Sequence, residues 1–561
     1  MPTLDFKGKQ FVYAHHLTVP FRQLNIDKKK SLPKDGKPNL EDNLIIHGDN
    51  LHALKALLPK YAGKVKCIYI DPPYNTGNEG WCYNDSVNAP LIKEWLKDSA
   101  NPVDKEDLER HDKWLCMMWT RLQLLKELLS ENGIMLVSID DIEYPNLRAV
   151  LDEIFGENGF FSTFVWRRRI GSSLASSWVS VDHEYVLGYC KNAEEVFVLG
   201  DERDMTKYNI PNGKGKFFAS MQLTLGMTKE MRPNQWYEIK NPKTGKGYWP
   251  PEGRIWGFYP PTMKEKIKAG LIIWPDDFPD SNMTRPRLKS YPEDAKREKK
   301  PISTYILEKN KPNENKDIQT LHVGKTEEGT KILKELFGDS VFPYPKPLSL
   351  IAELLRQFSK DDDVILDSFA GSGTTAHAVL ALNKEDEGNR RFILVECEDY
   401  ANKTTAERVR LVIKGAKNAK NEDLKKGLGG SFTFCELGDE INIENLLKGE
   451  KLPSYDELAR YAFYTATGQT LDKVKHGADF LVGETPNYRV HVIYQPDTSF
   501  LRSQESALNM PLAKSIFKAL EESKKTALVF ATHKFMSQKE LSEMGITYCQ
   551  LPYSIHKVMG D

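Results

Sequence analysis

Four consecutive residues, Asp71-Pro72-Pro73-Tyr74, carry the most distinctive chemistry in the chain. Asp71 brings a carboxylate, and the Pro72 carbonyl has no amide beside it, because the second proline has no N–H. Tyr74 adds a flat aromatic face. Together they suit a planar base bearing an exocyclic amine. Asp71 and the Pro72 carbonyl would accept its two N–H bonds and draw its lone pair out of the ring. Tyr74 would stack on it, for about 1–3 kcal/mol. Asp-Pro is also a common surface turn, so this stretch alone leaves both readings open.

The element that must position them is the run Lys66-Cys67-Ile68-Tyr69-Ile70. It is apolar and partly β-branched, which predicts a buried strand that the prolines stop. Asp71 would then stand at a strand's carboxyl end, where open α/β sheets bind ligands. A second stretch, Asp363 to Ala376, reads as a strand, a glycine turn at Gly371 and Gly373, and a helix from about Thr374. It is neither Gly-x-Gly-x-x-Gly nor a P-loop. The next strand, Arg391 to Glu396, ends in a carboxylate roughly 20 residues on, where a ribose-binding acid belongs.

The paired motifs resemble the amino-methylating DNA methyltransferases of the beta class, which are largely adenine-N6 specific. The order of the motifs, nearly 300 residues apart, matches that class, and the long spacer and tail are similar to the modification (Mod) subunit of type III restriction-modification systems. The resemblance runs from about Asn43 to Arg408. It implies a doubly wound, mostly parallel α/β sheet, the class I AdoMet-dependent methyltransferase fold, with S-adenosyl-L-methionine as cofactor. It implies Asp71, Pro72, Pro73 and Tyr74 as catalytic residues. On the cofactor side it implies Asp49, Lys346, Asp367, Phe369, Gly371, Gly373, Thr374 and Glu396. Glu396 would meet the ribose, Asp367 the amino group, Asp49 the adenine and Lys346 the methionine end. A helix cap also explains Asp49, and a proline-bounded helix start also explains Lys346. Double-stranded DNA, a second copy of the chain and a helicase-nuclease restriction (Res) subunit are the implied partners. A cytosine-N4 methyltransferase, for which the family more often has Ser at position 71, is the nearest rival. A DNA-binding specificity subunit without activity is another.

The implied organisation is an arm at 1–42, the target-base half of the core at 43–200, and a target-recognition insertion at 201–340. The cofactor half follows at 341–427, then a small α/β subdomain for subunit contact at 428–561. The net charge of −1 carries no global nucleic-acid signal, but residues 201–330 hold 24 Lys and Arg against 18 Asp and Glu. A locally basic insertion rich in aromatics fits a DNA-facing surface, or simply a lysine-decorated one. Arg167-Arg168-Arg169 after a strand-like run, and Arg285 and Arg287, are candidate phosphate contacts. Lys296-Arg297-Glu298-Lys299-Lys300 is another. Residues 75–80, with Trp81 and Tyr83, read as a loop closing over the site.

Trp114 to Leu129 reads as an amphipathic helix stopped by Asn132-Gly133, and Ile134 to Ile139 as a strand. Seven scattered cysteines form no Cys-x-x-Cys and no His cluster completes a zinc site, so no metal is expected. Without a signal core or a membrane-spanning run, the expected compartment is the cytoplasm.

Overall fold

A computed structural model of the chain describes residues 3–77, 110–171, 178–211, 217–277, 283–294, 299–312, 317–441 and 452–551. The segment with Trp81 and Tyr83 lies outside the described residues, as do Lys296, Arg297 and Glu298. The chain divides into two units: one of residues 1–199, 303–312 and 320–561, the other of 200–302 and 313–319.

The first unit is built on a sheet with eleven described strands. In chain order they are β1 (Arg22–Ile26), β2 (Leu44–His47), β3 (Val65–Ile70), β4 (Leu129–Ile139), β5 (Phe160–Arg167), β6 (His183–Cys190), β7 (Tyr305–Glu308), β8 (His322–Val323), β9 (Val364–Asp367), β10 (Arg391–Glu396) and β11 (Thr433–Glu440). Their order across the sheet is β1-β11-β2-β10-β9-β3-β4-β6-β5-β7-β8. From β11 to β4 every pairing is parallel; β1 and β6 run antiparallel to their neighbours.

Alternate residues of the central strands explain the layering. Ile68, Ile70, Leu366, Ile393 and Val395 enter one continuous core, with helices Asn50–Tyr61, Arg110–Leu128 and Tyr144–Phe155. The intervening Cys67, Tyr69, Ile365, Phe392 and Leu394 are equally buried on the other face. A strand that is apolar on both faces demands helices on both. The fold is therefore α/β, a doubly wound and mostly parallel sheet.

The organisation differs from the expected one at four places. Residues 303–312 and 320–340, assigned to the insertion, belong to the sheet unit and supply β7 and β8. β11, beyond the expected boundary at 427, is a parallel neighbour of β2. Residues 455–551 share the same hydrophobic core, though they carry a four-stranded sheet of their own. The N-terminal arm supplies β1. β1, β7 and β8 are short and β11 runs into polar residues, so none gives a periodic signal.

Helix Arg110–Leu128 is likewise not amphipathic: Trp114 through Leu122 are buried all round. The arm covers what would be its solvent face. Trp119 donates from its indole N–H to the Tyr13 carbonyl (3.2 Å), and the two rings stack at 5.6 Å. Lys9 lies over the Trp119 ring at 5.1 Å and pairs with Glu153 at 2.8 Å. The helix ends at Leu128, and Gly133 lies within β4 rather than stopping the helix. A Cβ there would sit 2.8 Å from Leu129 and 3.0 Å from the Lys66 carbonyl.

The second unit has a small core of Leu223, Ile239, Tyr248, Trp256, Met263, Ile272 and Trp274. Trp236 and Trp249 meet at 4.4 Å on its surface, both exposed, with Lys229 over Trp236. Among the described residues of either unit, no helix is long and apolar enough to cross a membrane.

Because Trp119 is sealed between helix and arm, Trp119→Ala should destabilise the first unit by about 3–5 kcal/mol. Urea unfolding followed by circular dichroism would measure it. Tyr13→Ala, at a half-exposed position, should cost clearly less.

Candidate active site

The two motifs leave the sheet side by side. β3 and β9 pair in parallel, Cys67 with Ile365 and Ile68 with Leu366. Their carboxyl ends therefore meet one edge together, Asp71 leaving one strand and Ser368-Phe369 the next. β10 lies on the far side of β9, and β2 beyond it, with His47 opposite Glu396. Four adjacent parallel strands thus deliver Asp49, Glu396, Asp367 and Asp71 to one edge.

On the Asp71 side the groups are tightly engaged. The Lys346 ammonium lies 2.9 Å from Asp71 Oδ1 and 3.5 Å from Glu184 Oε2. It also sits 4.8 Å above the Tyr74 ring. The Tyr74 hydroxyl donates to Glu184 Oε2 (3.2 Å), and Arg168 Nη1 donates to Glu184 Oε1 (3.2 Å). Burial pushes the Asp71 carboxyl up, and Lys346 opposes it. The Pro73 carbonyl accepts from the Trp114 indole (2.7 Å), whereas no described residue donates to the Pro72 carbonyl. Asn75 turns the chain in the left-handed region (φ 62°), and its amide donates to the buried Glu143 at 2.5 Å.

On the glycine side the backbone makes a cradle. Gly371 (φ 51°) and Gly373 (φ 78°) hold left-handed conformations, and a Cβ at Gly373 would meet the Thr405 carbonyl at 3.1 Å. The Gly371 N–H donates to Glu396 Oε2 (2.7 Å), and the Glu398 N–H to Glu396 Oε1 (3.1 Å). Asp367 accepts from the Phe369 N–H (3.0 Å) and the Thr375 hydroxyl (2.5 Å). Burial pushes its carboxyl up to about 7, those two donors oppose the rise, and the Asp71 and Glu396 charges add to it. Among the described residues, the buried Ser368 hydroxyl has no partner. Beneath the turn, buried Arg408 donates to the Ser372 (2.9 Å) and Thr374 (2.8 Å) hydroxyls. Thr374 opens the following helix, Thr374–Asp386, and faces inward. Phe369 packs against the central core. Asp49 caps helix Asn50–Tyr61, accepting from the Leu51 and His52 amides, with Arg121 at 3.4 Å.

The sequence-predicted residues thus fall into three places. Asp71 to Tyr74, Lys346, Asp49, Asp367 to Thr374 and Glu396 share the edge, with Lys346 on the Asp71 side. Arg167 and Arg169 flank it. Arg167 lies 3.9 Å from Asp182, and Arg169 donates to the Val181 carbonyl at 3.2 Å. Arg168 turns inward to Glu184. Arg285 and Arg287 belong to the other unit, where Arg287 donates to the Ser220 carbonyl (3.1 Å). Sequence reasoning missed Glu184 and Arg408. Glu184 carried one signal, a carboxylate at the head of an apolar strand. His183 lies at the rim against the Tyr185 hydroxyl (2.8 Å).

Asp71, the Pro72 carbonyl and the Tyr74 ring thus stand one strand from the glycine turn. The chain matches the DNA methylase model that covers N6 and N4 enzymes over residues 65–407. It belongs to that family. It is 34% identical over 444 residues to the StyLTI Mod subunit of Salmonella typhimurium, a type III restriction-modification enzyme, covering 77% of this chain and 61% of that protein. With the EcoPI Mod subunit of Escherichia phage P1 it shares 31% identity, over 72% of this chain and 64% of the other. With the type II methyltransferase M.KpnI of Klebsiella pneumoniae it shares 29%, over 68% and 86%. The chain spans about three-fifths of the length of the Mod subunits it matches.

The raised Asp367 carboxyl sets a sign. Between about pH 4 and 7 the folded state holds a proton that the unfolded chain has released. Stability from this group is therefore full below its unfolded value and is lost as pH rises through 7. In ligand-free protein, Asp367→Asn should remove that decline, on the order of 2–4 kcal/mol. Urea unfolding of both proteins at pH 5 and pH 8 measures it.

Proposed function

We propose that the chain transfers a methyl group from S-adenosyl-L-methionine to the N6 amine of adenine in duplex DNA. We further infer that it is the modification and recognition subunit of a type III restriction-modification system. The observation that carries the reading is the pairing of β3 with β9, which sets Asp71-Pro72-Pro73-Tyr74 beside the glycine turn at one sheet edge. The names of the relatives support the type III assignment.

The residues on the glycine side fit the cofactor. Asp367, buried with no cation beside it among the described residues, suits an amino group. Glu396, with lone pairs left over from two backbone amides, suits ribose hydroxyls. The unpartnered Ser368 hydroxyl and the positive-φ glycines leave polar atoms and room for close approach. Asp49, at the same edge, suits the adenine amine. When bound, S-adenosylmethionine supplies a methyl group on a positively charged sulfur.

The chain's own residues do the rest. The target base leaves the duplex stack, at a cost of a few kcal/mol. Tyr74, its hydroxyl tethered to Glu184, presents a fixed face for stacking. Asp71 and the free Pro72 carbonyl accept the amine's two N–H bonds and orient its lone pair away from the ring. Rate then comes from positioning and from charge already in place. The second unit, with its exposed Trp236–Trp249 pair and nearby lysines, is the proposed reader of the target sequence, and Arg167 and Arg169 the phosphate contacts. A homodimer, with contact through the C-terminal sheet, and a helicase-nuclease Res partner complete the proposal.

Long-read mapping of modified bases in DNA incubated with the chain and cofactor should show N6-methyladenine at one short sequence. N4-methylcytosine, or no modification, would overturn it. Asp71→Asn should lower methyl transfer by about 10²–10³-fold or more, as loss of a preorganised polar partner does elsewhere. Cofactor affinity by calorimetry should stay within a few-fold.

A further inference from the structure

Asp71 accepts an N–H bond with full charge-assisted strength, and opposes the positive charge that develops on the amine, only while it is ionised, and its surroundings disfavour ionisation. It is largely buried, and a second carboxylate, Glu184, stands on the same ammonium. Five groups face it: Tyr69 from β3, Tyr74 from its own loop, Glu184 from β6, Asp367 from β9 and Lys346 from the segment before helix Leu348–Phe358. Lys346 is the cation among these. Arg168 reaches Glu184 rather than Asp71.

Lys346 is held rigidly for this. Prolines flank it on both sides, and Pro347 is the N-cap of the helix. Gly329 packs so closely under the segment that a Cβ would lie 2.3 Å from the Pro345 carbonyl and 2.8 Å from that of Lys346. The ammonium is thus fixed between two carboxylates and above the Tyr74 ring. Burial alone would favour a neutral amine, but the Asp71 and Glu184 charges outweigh it and hold Lys346 protonated. It therefore acts as a fixed charge and not as a proton acceptor.

We propose that Lys346 is a positioning residue of the base-amine side that keeps Asp71 ionised and aimed, and that Glu184, balanced by Arg168, anchors Lys346 there. This rests on the methyltransferase reading and reassigns Lys346 from the cofactor to the acceptor side. It also makes the two neighbours of Asp71 act in opposite senses. Lys346 lowers the pH at which Asp71 becomes competent, and the Glu184 charge raises it.

The test is the pH profile of methyl transfer, on a duplex carrying the mapped site at saturating cofactor, for wild type, Lys346→Gln, Lys346→Arg and Glu184→Gln. The acidic limb should move up by at least about one pH unit in Lys346→Gln and stay near wild type in Lys346→Arg. In Glu184→Gln it should move down. Cofactor Kd of Lys346→Gln, by calorimetry, should remain within about threefold. Limbs that stay put, or move in the same direction, would overturn the inference. So would a Lys346→Gln limb left unchanged while cofactor binding weakens tenfold, which would return Lys346 to the cofactor side. If Lys346→Gln fails to fold, Lys346→Met, which keeps the unbranched apolar stem and removes the charge, is read in the same way and decides. Absence of transfer by wild type at every pH would overturn the methyltransferase reading itself, and this inference with it.

Discussion

The parallel pairing of β3 with β9 is the constraint on which the candidate site depends. Cys67 and Ile365 are nearly 300 residues apart in the chain and neighbours in the sheet. A parallel register ties two carboxyl ends to one edge, so whatever leaves them leaves side by side. Slipping that register by one residue would turn Ile68 and Leu366 out of their shared core. Burial of those side chains, more than any contact at the edge, keeps Asp71 beside the glycine turn. Long segments between β4 and β9 can vary without disturbing it, because loop closure costs grow slowly with length.

The edge concentrates carboxylates, and each is kept by a different device. Glu396 is held by two backbone amides and Asp49 by a helix N-terminus with Arg121 alongside. Asp71 is held by Lys346, while Asp367 has only neutral donors. Asp367 is therefore the group whose ionisation a cationic ligand would most improve, and Asp71 the one already supplied with a cation. The two halves of the site are thus electrostatically unlike: one waits for a charge, the other carries its own.

Legibility in the sequence followed the density of residues with only one use. Asp-Pro-Pro-Tyr and the two glycines were readable because prolines stop strands and positive-φ turns favour glycine. The central strands were readable as unbroken apolar runs. What escaped had no local mark. β1, β7 and β8 are short, β11 turns polar along its length, and pairing decides them, not their own text. Helix Arg110–Leu128 reads as amphipathic because its polar positions are real. Arg121 and Lys113 are nevertheless buried, Arg121 by donating to Asn50 at 2.5 Å, and the arm closes over the rest. Glu184 was hidden for the opposite reason. One acid before an apolar strand is commonplace, and only the fold shows that Tyr74, Lys346 and Arg168 converge on it.

Arg408 shows how a buried charge can serve a turn. Its guanidinium lies fully buried with no carboxylate partner among the described residues, and burial pushes it down to about 9. An unpaired buried charge is costly. It persists because its donors satisfy Ser372 and Thr374, the residues on either side of Gly373, along with the Ser372 carbonyl. With those hydroxyls fixed from below, the backbone of the turn is left facing the edge. The glycines give the turn its shape, and Arg408 removes the freedom that glycines would otherwise leave.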